Sequence, residues 1–156
     1  MQKTWLITGV SSGFGYEMTK LLLERGDTVV GTVRNTAKTE ELVKKYPDTF
    51  DCEILDVTDV PAVHKTVDDT FARHGKIDVV VSNAGYGLFG AAEELSDEEI
   101  DRIIATDLTG SIQLIRSALP NMRKQGGGRI IQISSYGGQV AYAANSMYHA
   151  CKFGIE

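Results

Sequence analysis

Tyr148 and Lys152 lie four residues apart in the stretch SMYHACKFG, close to the last residue of the chain. If this stretch is helical, the two side chains share one helix face. A free phenol releases its proton only in alkaline solution, and a neighbouring cation stabilises the ionised form. The pair is therefore a candidate proton donor and acceptor for a reacting oxygen. The alternative is an interfacial tyrosine whose hydroxyl contacts water.

A glycine-rich loop near the start of the chain is the second candidate site. The stretch TGVSSGFG spaces its glycines so that the backbone can turn tightly and approach a phosphate group closely. A helix that follows would offer free N–H groups and the positive end of its dipole to a pyrophosphate. A glycine-rich turn without a ligand is the alternative, but the position between a strand and an amphipathic helix favours nucleotide binding. The loop residues expected to bind are Gly9, Ser11, Ser12, Gly13, Phe14 and Gly15.

Five short apolar runs rich in β-branched residues alternate with longer amphipathic stretches. Such runs are typical of parallel strands buried on both faces, and the amphipathic stretches are typical of the helices that cover them. The alternation predicts βαβ units and an α/β fold of Rossmann type, with a doubly wound parallel sheet. Ligands bind such sheets beyond the carboxyl ends of the strands. The predicted strands are Thr4–Thr8, Thr28–Val33, Cys52–Leu55, Asp78–Ser82 and Arg129–Ser134.

Two of the predicted helices begin with cap signals. Thr58 or Asp59 can cap a helix that has Pro61 in its first turn. Ser96, followed three residues later by Glu99, matches a capping box. These signals fix two helix starts within the alternating pattern.

The chain resembles the short-chain dehydrogenase/reductase family over its whole length. The resemblance is carried by T-G-x-x-x-G-x-G after the first strand, SNAG after the fourth, two serines after the fifth, and Tyr-x-x-x-Lys. One tyrosine–lysine pair at this spacing means little alone, but four motifs at successive strand ends are specific together. The resemblance implies strand order 3-2-1-4-5 and nicotinamide-dependent interconversion of a carbonyl and an alcohol.

The resemblance also implies roles at the reacting end. Tyr148 would be the general acid or base, and Lys152 would stabilise its phenolate and bind the nicotinamide ribose. Ser135, thirteen residues before the tyrosine, would hold the substrate oxygen. Ser134 is the neighbour most easily confused with it, and either serine could instead serve only as a cap at the strand end.

The end of the second predicted strand, GTVRN, bears on the choice between NAD and NADP. Val33 occupies the place where NAD-preferring relatives carry an aspartate, and Arg34 follows it. An arginine suits a 2′-phosphate because its planar fork can donate two hydrogen bonds, and Lys38 could assist. A solvated surface arginine is the alternative. We therefore expect NADP as the cofactor, with NAD less favoured.

The segments after the third and fourth strands complete the expected nucleotide site. In the family, Asp56 and Val57 would lie beside the adenine, although Asp56 could equally be a turn or cap residue. Asn83, Ala84 and Gly85 would let the backbone pass close to the cofactor, although the same tripeptide could be an ordinary turn.

One position departs from the family pattern. The stretch ATDLTG places Asp107 where the family usually has an asparagine that kinks its helix and anchors a water leading to the lysine. An ionised carboxylate accepts hydrogen bonds but cannot donate them, so the proton relay would be altered. Asp107 could pair with Lys152 through water, or be an ordinary acidic helix residue. The expected catalytic set is therefore Ser135, Tyr148, Lys152 and Asp107.

Composition narrows the classes of partner. The formal net charge is -5, and no block of lysine and arginine suggests nucleic acid or an anionic membrane surface. No apolar run is long enough to span a bilayer, and MQKTWLITG is a poor signal peptide. The two cysteines lack metal spacing, so we expect no metal site and a cytoplasmic protein. His64, His74 and His149 are expected at surface positions without chemistry.

The chain stops where the helix of Tyr148 should still be under way. The family continues with a sixth strand, a turn over the nicotinamide, a substrate loop and a seventh strand. We therefore expect residues 1–156 to be one NAD(P)-binding domain without its C-terminal strands, in a polypeptide of about 250 residues. Relatives form homo-oligomers through the helices that here contain Asp107 and Tyr148.

Two other functions remain alternatives to a carbonyl or alcohol oxidoreductase. One is a nucleotide-binding protein without efficient turnover, because its relay is altered or its chain incomplete. The other is a nucleotide-sugar epimerase or dehydratase, which shares Tyr-x-x-x-Lys. Those relatives usually space the glycines T-G-x-x-G-x-x-G, so TGVSSGFG argues against them.

Overall fold

The computed structural model describes residues 2–156 and contains a five-stranded parallel sheet with helices on both faces. Each strand pairs in parallel with its neighbour, in the order β3-β2-β1-β4-β5. The predicted Rossmann-type sheet and its strand order are confirmed. The strands are β1 (Thr4–Thr8), β2 (Thr28–Val33), β3 (Phe50–Ile54), β4 (Val79–Ser82) and β5 (Arg129–Gln132).

Six α-helices connect the strands and follow the last one within the described chain. Asp59 accepts a hydrogen bond from Ala62 N at 3.0 Å at the start of α3, and Ser96 and Glu99 form the predicted capping box of α4. None of the helices in residues 2–156 is long and apolar enough to cross a membrane. The helices are α1 (Gly13–Glu24), α2 (Glu40–Lys45), α3 (Val60–His74), α4 (Asp97–Ile103), α5 (Gly110–Lys124) and α6 (Ser146–Gly154).

Side-chain alternation along the strands divides the core into two layers. Val30 and Val80 point to the face covered by α3 and α5, whereas Val29 and Val81 point to the face covered by α1 and α2. All four are buried, as expected for strands with helices on both sides. The two layers hold the sheet rigid, so that its strand ends can position a site.

The third strand begins earlier than predicted. Its register pairs Phe50 with Val29 and Asp51 with Val30, so the ladder starts two residues before Cys52. The polar Asp51 conceals this start in the apolar pattern. The ladder ends at Ile54, although Leu55 N still donates to Val33 O at 2.8 Å.

The fourth and fifth strands are shorter than predicted. Asp78 lies outside β4, and its carboxylate accepts the Thr4 N–H at 3.0 Å. β5 ends at Gln132 rather than Ser134 because its neighbour β4 ends at Ser82, which pairs with Gln132. The predicted strand was too long because the apolar sequence pattern continues beyond Gln132, the last residue of β5 with a pairing partner on β4.

A buried carboxylate connects the starts of β1 and β2, at the edge of the sheet opposite the carboxyl ends of the strands. Asp27 is 3% exposed and accepts hydrogen bonds from Lys3 N at 2.9 Å and Trp5 Nε1 at 3.0 Å. Arg25 donates to the same carboxylate and lies over the indole of Trp5, 5.8 Å from the ring centroid. Burial opposes the charge, but the hydrogen bonds from these groups outweigh it and hold the pKa of Asp27 below its ordinary value.

Candidate active site

A cleft of about 1110 Å³ lies at the carboxyl ends of the strands, where this fold binds its ligands. Segments that follow all five strands line it, together with the start of α1 and residues of α6. Every residue predicted to bind or react lines the cleft except Gly15. They are Gly9, Ser11, Ser12, Gly13, Phe14, Arg34, Asp56, Val57, Asn83, Ala84, Gly85, Asp107, Ser135, Tyr148 and Lys152.

The loop between β1 and α1 presents its backbone to the cleft. Gly9 and Gly13 have φ angles of 76° and 59°, which residues with side chains rarely adopt. α1 begins at Gly13, and the side chain of Ser12 makes no cap hydrogen bond to it. The first N–H groups of α1 are therefore not satisfied by that side chain, and together with the helix dipole they suit an anion.

Gly15 supports the loop from behind. A Cβ at this position would collide with Gly9 O and would lie 2.5 Å from Asn83 Nδ2. That amide donates to Thr8 O at 2.8 Å and to Gly9 O at 3.0 Å. The missing side chain thus lets α1, the glycine loop and the loop after β4 meet closely.

Thr8 joins the ends of β1 and β4 from the other side. Its Oγ1 accepts hydrogen bonds from Asn83 N and Ala84 N, both at 3.1 Å. Gly9 belongs to the same contact, since a Cβ there would lie 2.9 Å from Ala84 Cα. The two loops therefore form one rigid wall of the cleft.

Arg34 lines the cleft directly after β2. It is exposed, while the preceding Val33 is buried at 2% exposure. No carboxylate therefore occupies the end of β2. Lys38, in the short 3-10 turn that follows, is not among the residues that line the cleft.

Asp56, after β3, faces a cation that the sequence did not suggest. Arg102 of α4 lines the cleft and places Nη2 3.8 Å from Asp56 Oδ2. The backbone N–H of Thr58 lowers the pKa of Asp56, aided by the Thr58 hydroxyl and by the charges of Arg102 and Arg34. Arg102 lies 46 residues after Asp56, so only the packing of α4 against the strand ends reveals the pair.

The predicted helix around Tyr148 and Lys152 is present as α6. Lys152 Nζ lies 5.6 Å from the centroid of the Tyr148 ring and donates to Ile133 O at 3.3 Å. Lys152 is 6% exposed, whereas Tyr148 is half-buried. The ammonium group is thus held inside the protein, with the phenol beside it at the cleft.

Asp107 lies within ion-pair distance of Lys152. Its Oδ2 lies 3.6 Å from Lys152 Nζ, and both side chains are buried. Its Oδ1 accepts the Tyr86 N–H at 3.0 Å, while Oδ2 has no hydrogen-bond partner among residues 2–156. Burial raises the pKa of Asp107, and the Tyr86 N–H and the Lys152 charge offset this only in part.

A π-helical turn over Ile104–Thr109 carries Asp107 into the cleft. The apolar spacing of the sequence predicts a helix here, and the family resemblance implies a kink at this position. The turn lies against the loop after β4, since a Cβ at Gly85 would lie 2.9 Å from Asp107 Oδ2. Bulges of this kind are frequent at functional sites.

The two serines after β5 have different partners, although both border the cleft. Ser135 Oγ accepts the Gly137 N–H at 3.0 Å, which leaves its hydroxyl hydrogen free to donate. Ser134 Oγ instead bonds to the carboxylate of Glu156. This difference supports the choice of Ser135 over its neighbour.

The expectation that His149 lies at the surface is wrong. Its side chain is 5% exposed, and both ring nitrogens are hydrogen-bonded to the loop after β5. The residue follows Tyr148 in α6, and no sequence motif marked it as buried. His64 and His74 are half-buried and pair with Gln113 and Asp51.

Comparisons with known proteins agree with this architecture. The chain is 36% identical over 151 residues to 3-ketodihydrosphingosine reductase of Bacteroides thetaiotaomicron, an alignment covering 97% of the chain and 54% of the relative. It is 33% identical over 153 residues to the 3-oxoacyl-[acyl-carrier-protein] reductase FabG of Vibrio harveyi, covering 98% and 63%. The chain thus spans little more than half the length of these curated relatives.

Solved structures show the same fold. A short-chain dehydrogenase from Streptomyces avermitilis superposes with a TM-score of 0.95 at 41% identity, covering 99% of this chain and 57% of the other. A metagenomic short-chain oxidoreductase in complex with NADP gives 0.91 at 30% identity, covering 98% and 71%. The sequence model of the family described as short chain dehydrogenase matches residues 3–156. The chain therefore belongs to the short-chain dehydrogenase/reductase family.

Proposed function

We propose that this chain is the NADP-binding part of an oxidoreductase that interconverts a carbonyl and an alcohol on a small molecule. The observation that carries the proposal is the continuity of the cleft. It runs from the glycine loop and Arg34 to Ser135, Tyr148 and Lys152 without leaving the strand ends.

The residues of the cleft fit a dinucleotide phosphate. The positive φ angles of Gly9 and Gly13 and the start of α1 form a cradle for the pyrophosphate. Arg34 supplies a cation for a 2′-phosphate, and the buried Val33 leaves no acid to hold a free 2′-hydroxyl. A relative with NADP bound superposes closely on this chain, which is consistent with the same choice.

The chemistry that this chain's residues supply is proton transfer and orientation. When bound, the nicotinamide would donate or accept the hydride. The free hydroxyl hydrogen of Ser135 would bond to the substrate oxygen, and Tyr148 would give its proton to that oxygen during reduction. Lys152 would stabilise the resulting phenolate by its charge, and the reverse transfer would serve alcohol oxidation.

The Asp107–Lys152 contact supports a second candidate function, nucleotide binding without efficient turnover. A carboxylate 3.6 Å from the ammonium group weakens the field that Lys152 exerts on Tyr148. A binder of this kind would retain the NADP cradle and Arg34 but would turn over slowly. Measurement of turnover alongside cofactor affinity separates the two functions.

We also propose a cytoplasmic homo-oligomer as the natural form. Both cysteines are free in the described structure, which suits a reducing compartment. Ile112, on α5, is 48% exposed and offers an apolar contact for a second copy.

Tyr148→Phe tests the oxidoreductase in the natural full-length polypeptide. NADPH oxidation is followed by absorbance with a panel of aldehydes and ketones, and cofactor affinity is measured by titration. Turnover should fall by at least about a hundredfold, the lower range for loss of general acid catalysis, while NADPH affinity stays within about twofold. The matched control is Tyr46→Phe, which removes a hydroxyl outside the cleft.

A Tyr148→Phe protein that reduces its substrate at nearly the original rate would refute the assignment of the proton donor. A wild-type protein that binds NADPH tightly but turns over no carbonyl or alcohol of the panel would favour the nucleotide binder.

A further inference from the structure

The buried imidazole of His149 forms two hydrogen bonds whose directions fix its protonation. Gly137 O, a carbonyl that can only accept, lies 2.7 Å from Nδ1. The Tyr142 N–H, which can only donate, points at Nε2 with a separation of 2.9 Å. The ring must therefore be neutral, with its hydrogen on Nδ1 and its lone pair on Nε2.

These bonds connect helix α6 to two points of the loop that follows Ser135. Gly137 lies in the 3-10 turn Tyr136–Gly138, and its N–H donates to Ser135 Oγ at 3.0 Å. Tyr142 lies further along the same loop. The imidazole thus forms a chain of hydrogen bonds from α6 through Gly137 to the hydroxyl of Ser135.

The loop after Ser135 contains a residue with an unfavourable backbone conformation and packs closely against α6. Ala144 has a φ angle of 61°, a left-handed conformation that is unfavourable for a residue with a side chain. A Cβ at Gly137 would lie 3.0 Å from His149 Nδ1 and 3.0 Å from Tyr148 Cε1. Such a backbone persists only where surrounding contacts determine it, and His149 supplies two hydrogen bonds to this loop, at Gly137 and Tyr142.

We propose that His149 is a positioning residue that sets Ser135 in place relative to Tyr148. This inference rests on the function proposed above, because the two hydroxyls must address the same substrate oxygen. His149 lies next to Tyr148 in α6, so a bond from its ring to Gly137 fixes the distance between the helix and the serine. Small displacements of such groups lower rates strongly.

Two substitutions in the natural full-length protein test the positioning role. His149→Phe keeps a planar ring but removes both bonds, whereas His149→Asn retains a donor near the Nδ1 position and loses the acceptor for Tyr142. We expect His149→Phe to lower kcat about ten- to a hundredfold with NADPH affinity unchanged. The asparagine variant should recover part of that loss. Rates are expressed per cofactor-binding site, so that partial unfolding does not count as lost turnover.

The matched control is His64→Phe, at a half-buried histidine outside the cleft that pairs with Gln113. It should leave kcat within about twofold, as expected for a site without a buried network. A His149→Phe variant as fast as the wild type, or an asparagine variant no faster than the phenylalanine one, would overturn the proposal.

Two structural readouts decide the question even if no carbonyl is turned over, and so separate this proposal from the proposed function. Nitrogen-15 NMR of the imidazole should show hydrogen on Nδ1 alone, and hydrogen on Nε2 would contradict the bond pattern. A crystal structure of His149→Phe should show residues 135–142 displaced from α6. An unchanged loop would show that His149 does not position it.

Discussion

Asp107 and Lys152 lie 3.6 Å apart inside the protein, so an ionised Asp107 would act strongly on the charge of Lys152. Two groups interact with the charge of Lys152. The Asp107 carboxylate lies 3.6 Å from its Nζ, and the centre of the Tyr148 ring lies 5.6 Å from it. Because a nearer opposite charge offsets a cation's field, the carboxylate reduces the stabilisation available to a Tyr148 phenolate. We therefore propose that the residue at position 107 tunes Tyr148, the proposed acid, through Lys152.

Asp107→Asn tests this tuning. The amide oxygen can still accept the Tyr86 N–H, and the charge opposing Lys152 is removed. We expect turnover of the full-length protein to be preserved or raised by up to about tenfold, equivalent to about 1.4 kcal/mol. Asp101→Asn, at an exposed position of α4, is the control. A strong loss of turnover with unchanged folding would show that the carboxylate has a role of its own.

The same substitution should change how stability depends on pH. Burial raises the folded pKa of Asp107, so its favourable contribution is present in acid and is lost as the pH rises through that pKa. The asparagine of the variant does not ionise, so the variant does not lose stability in this way as the pH rises. Its free energy of unfolding relative to wild type should therefore increase from pH 4 to pH 7, as measured by urea unfolding. A difference that does not vary with pH would contradict the raised pKa.

Arg34→Ala tests cofactor choice. The wild type should bind NADPH more tightly than NADH, because a hydrogen bond from a charged donor to the 2′-phosphate contributes about 1.5–3 kcal/mol. The variant should lose about ten- to over a hundredfold in NADPH affinity and little in NADH affinity. Lys38→Ala, in the turn after β2 but not lining the cleft, should have a smaller effect. Equal affinities of the wild type for both cofactors would refute the NADP assignment.

The sequence predicted which residues line the cleft but not which groups hold them in place. Local sequence spacing can predict a position just after a strand, as for Gly9 and Ser135. It can also predict a shared helix face, as for Tyr148 and Lys152. The contacts of Arg102 with Asp56 and of His149 with Gly137 depend on how separate elements pack. No local pattern encodes such packing.

At the scale of the elements, strand positions were predictable and strand ends were not. β5 stops where β4 gives it no further partner, although the apolar pattern continues to Ser134. The π-helical turn at Ile104–Thr109 likewise interrupts a stretch whose apolar spacing alone predicts a helix. Pairing and packing partners, rather than local composition, set these limits.

Asp27→Asn tests the junction of β1 and β2. At neutral pH the carboxylate accepts hydrogen bonds from Lys3 N, Trp5 Nε1 and Arg25. We expect a loss of about 1.5–3 kcal/mol in the free energy of unfolding at pH 7. The folded pKa of Asp27 is lowered, so its contribution is present above the ordinary pKa and disappears as the pH falls through the folded value.

Urea unfolding at pH 7 and in acid measures the effect of Asp27→Asn, and the difference from wild type should shrink in acid. Asp69→Asn is the control, because its ion pair with Lys65 is exposed and should contribute less than about 1 kcal/mol. Equal destabilisation at both pH values would mean that the charge of Asp27 is not what joins the strands.

At the scale of the whole molecule, the sheet ends in two edge strands, β3 and β5, each of which pairs with a single neighbour in the described chain. β5 pairs only with β4 in the described chain, and its residues from Ile130 to Gln132 are half-buried. An unpaired strand edge is a template for another chain. We expect residues 1–156, made alone, to self-associate as concentration rises, as measured by sedimentation.

Ile112→Arg distinguishes two routes of association for residues 1–156. The substitution places a charge on the exposed face of α5 and leaves β5 unchanged. Association that survives it is consistent with pairing at a strand edge, as expected, whereas association that it abolishes runs through α5. A monomer at all concentrations would contradict a reactive edge.

The junction around Asp27 also gives the protein a built-in optical reporter. Trp5 is the single tryptophan of the sequence, and its indole N–H is bonded to the Asp27 carboxylate. It lies four residues before Gly9, about 13 Å along the strand from the cofactor loop. Its emission should therefore respond to two events, quenching by energy transfer when NADPH occupies the cleft and a spectral change when Asp27 gains a proton. Trp5 fluorescence can thus report both NADPH binding and the protonation of Asp27 without an added dye.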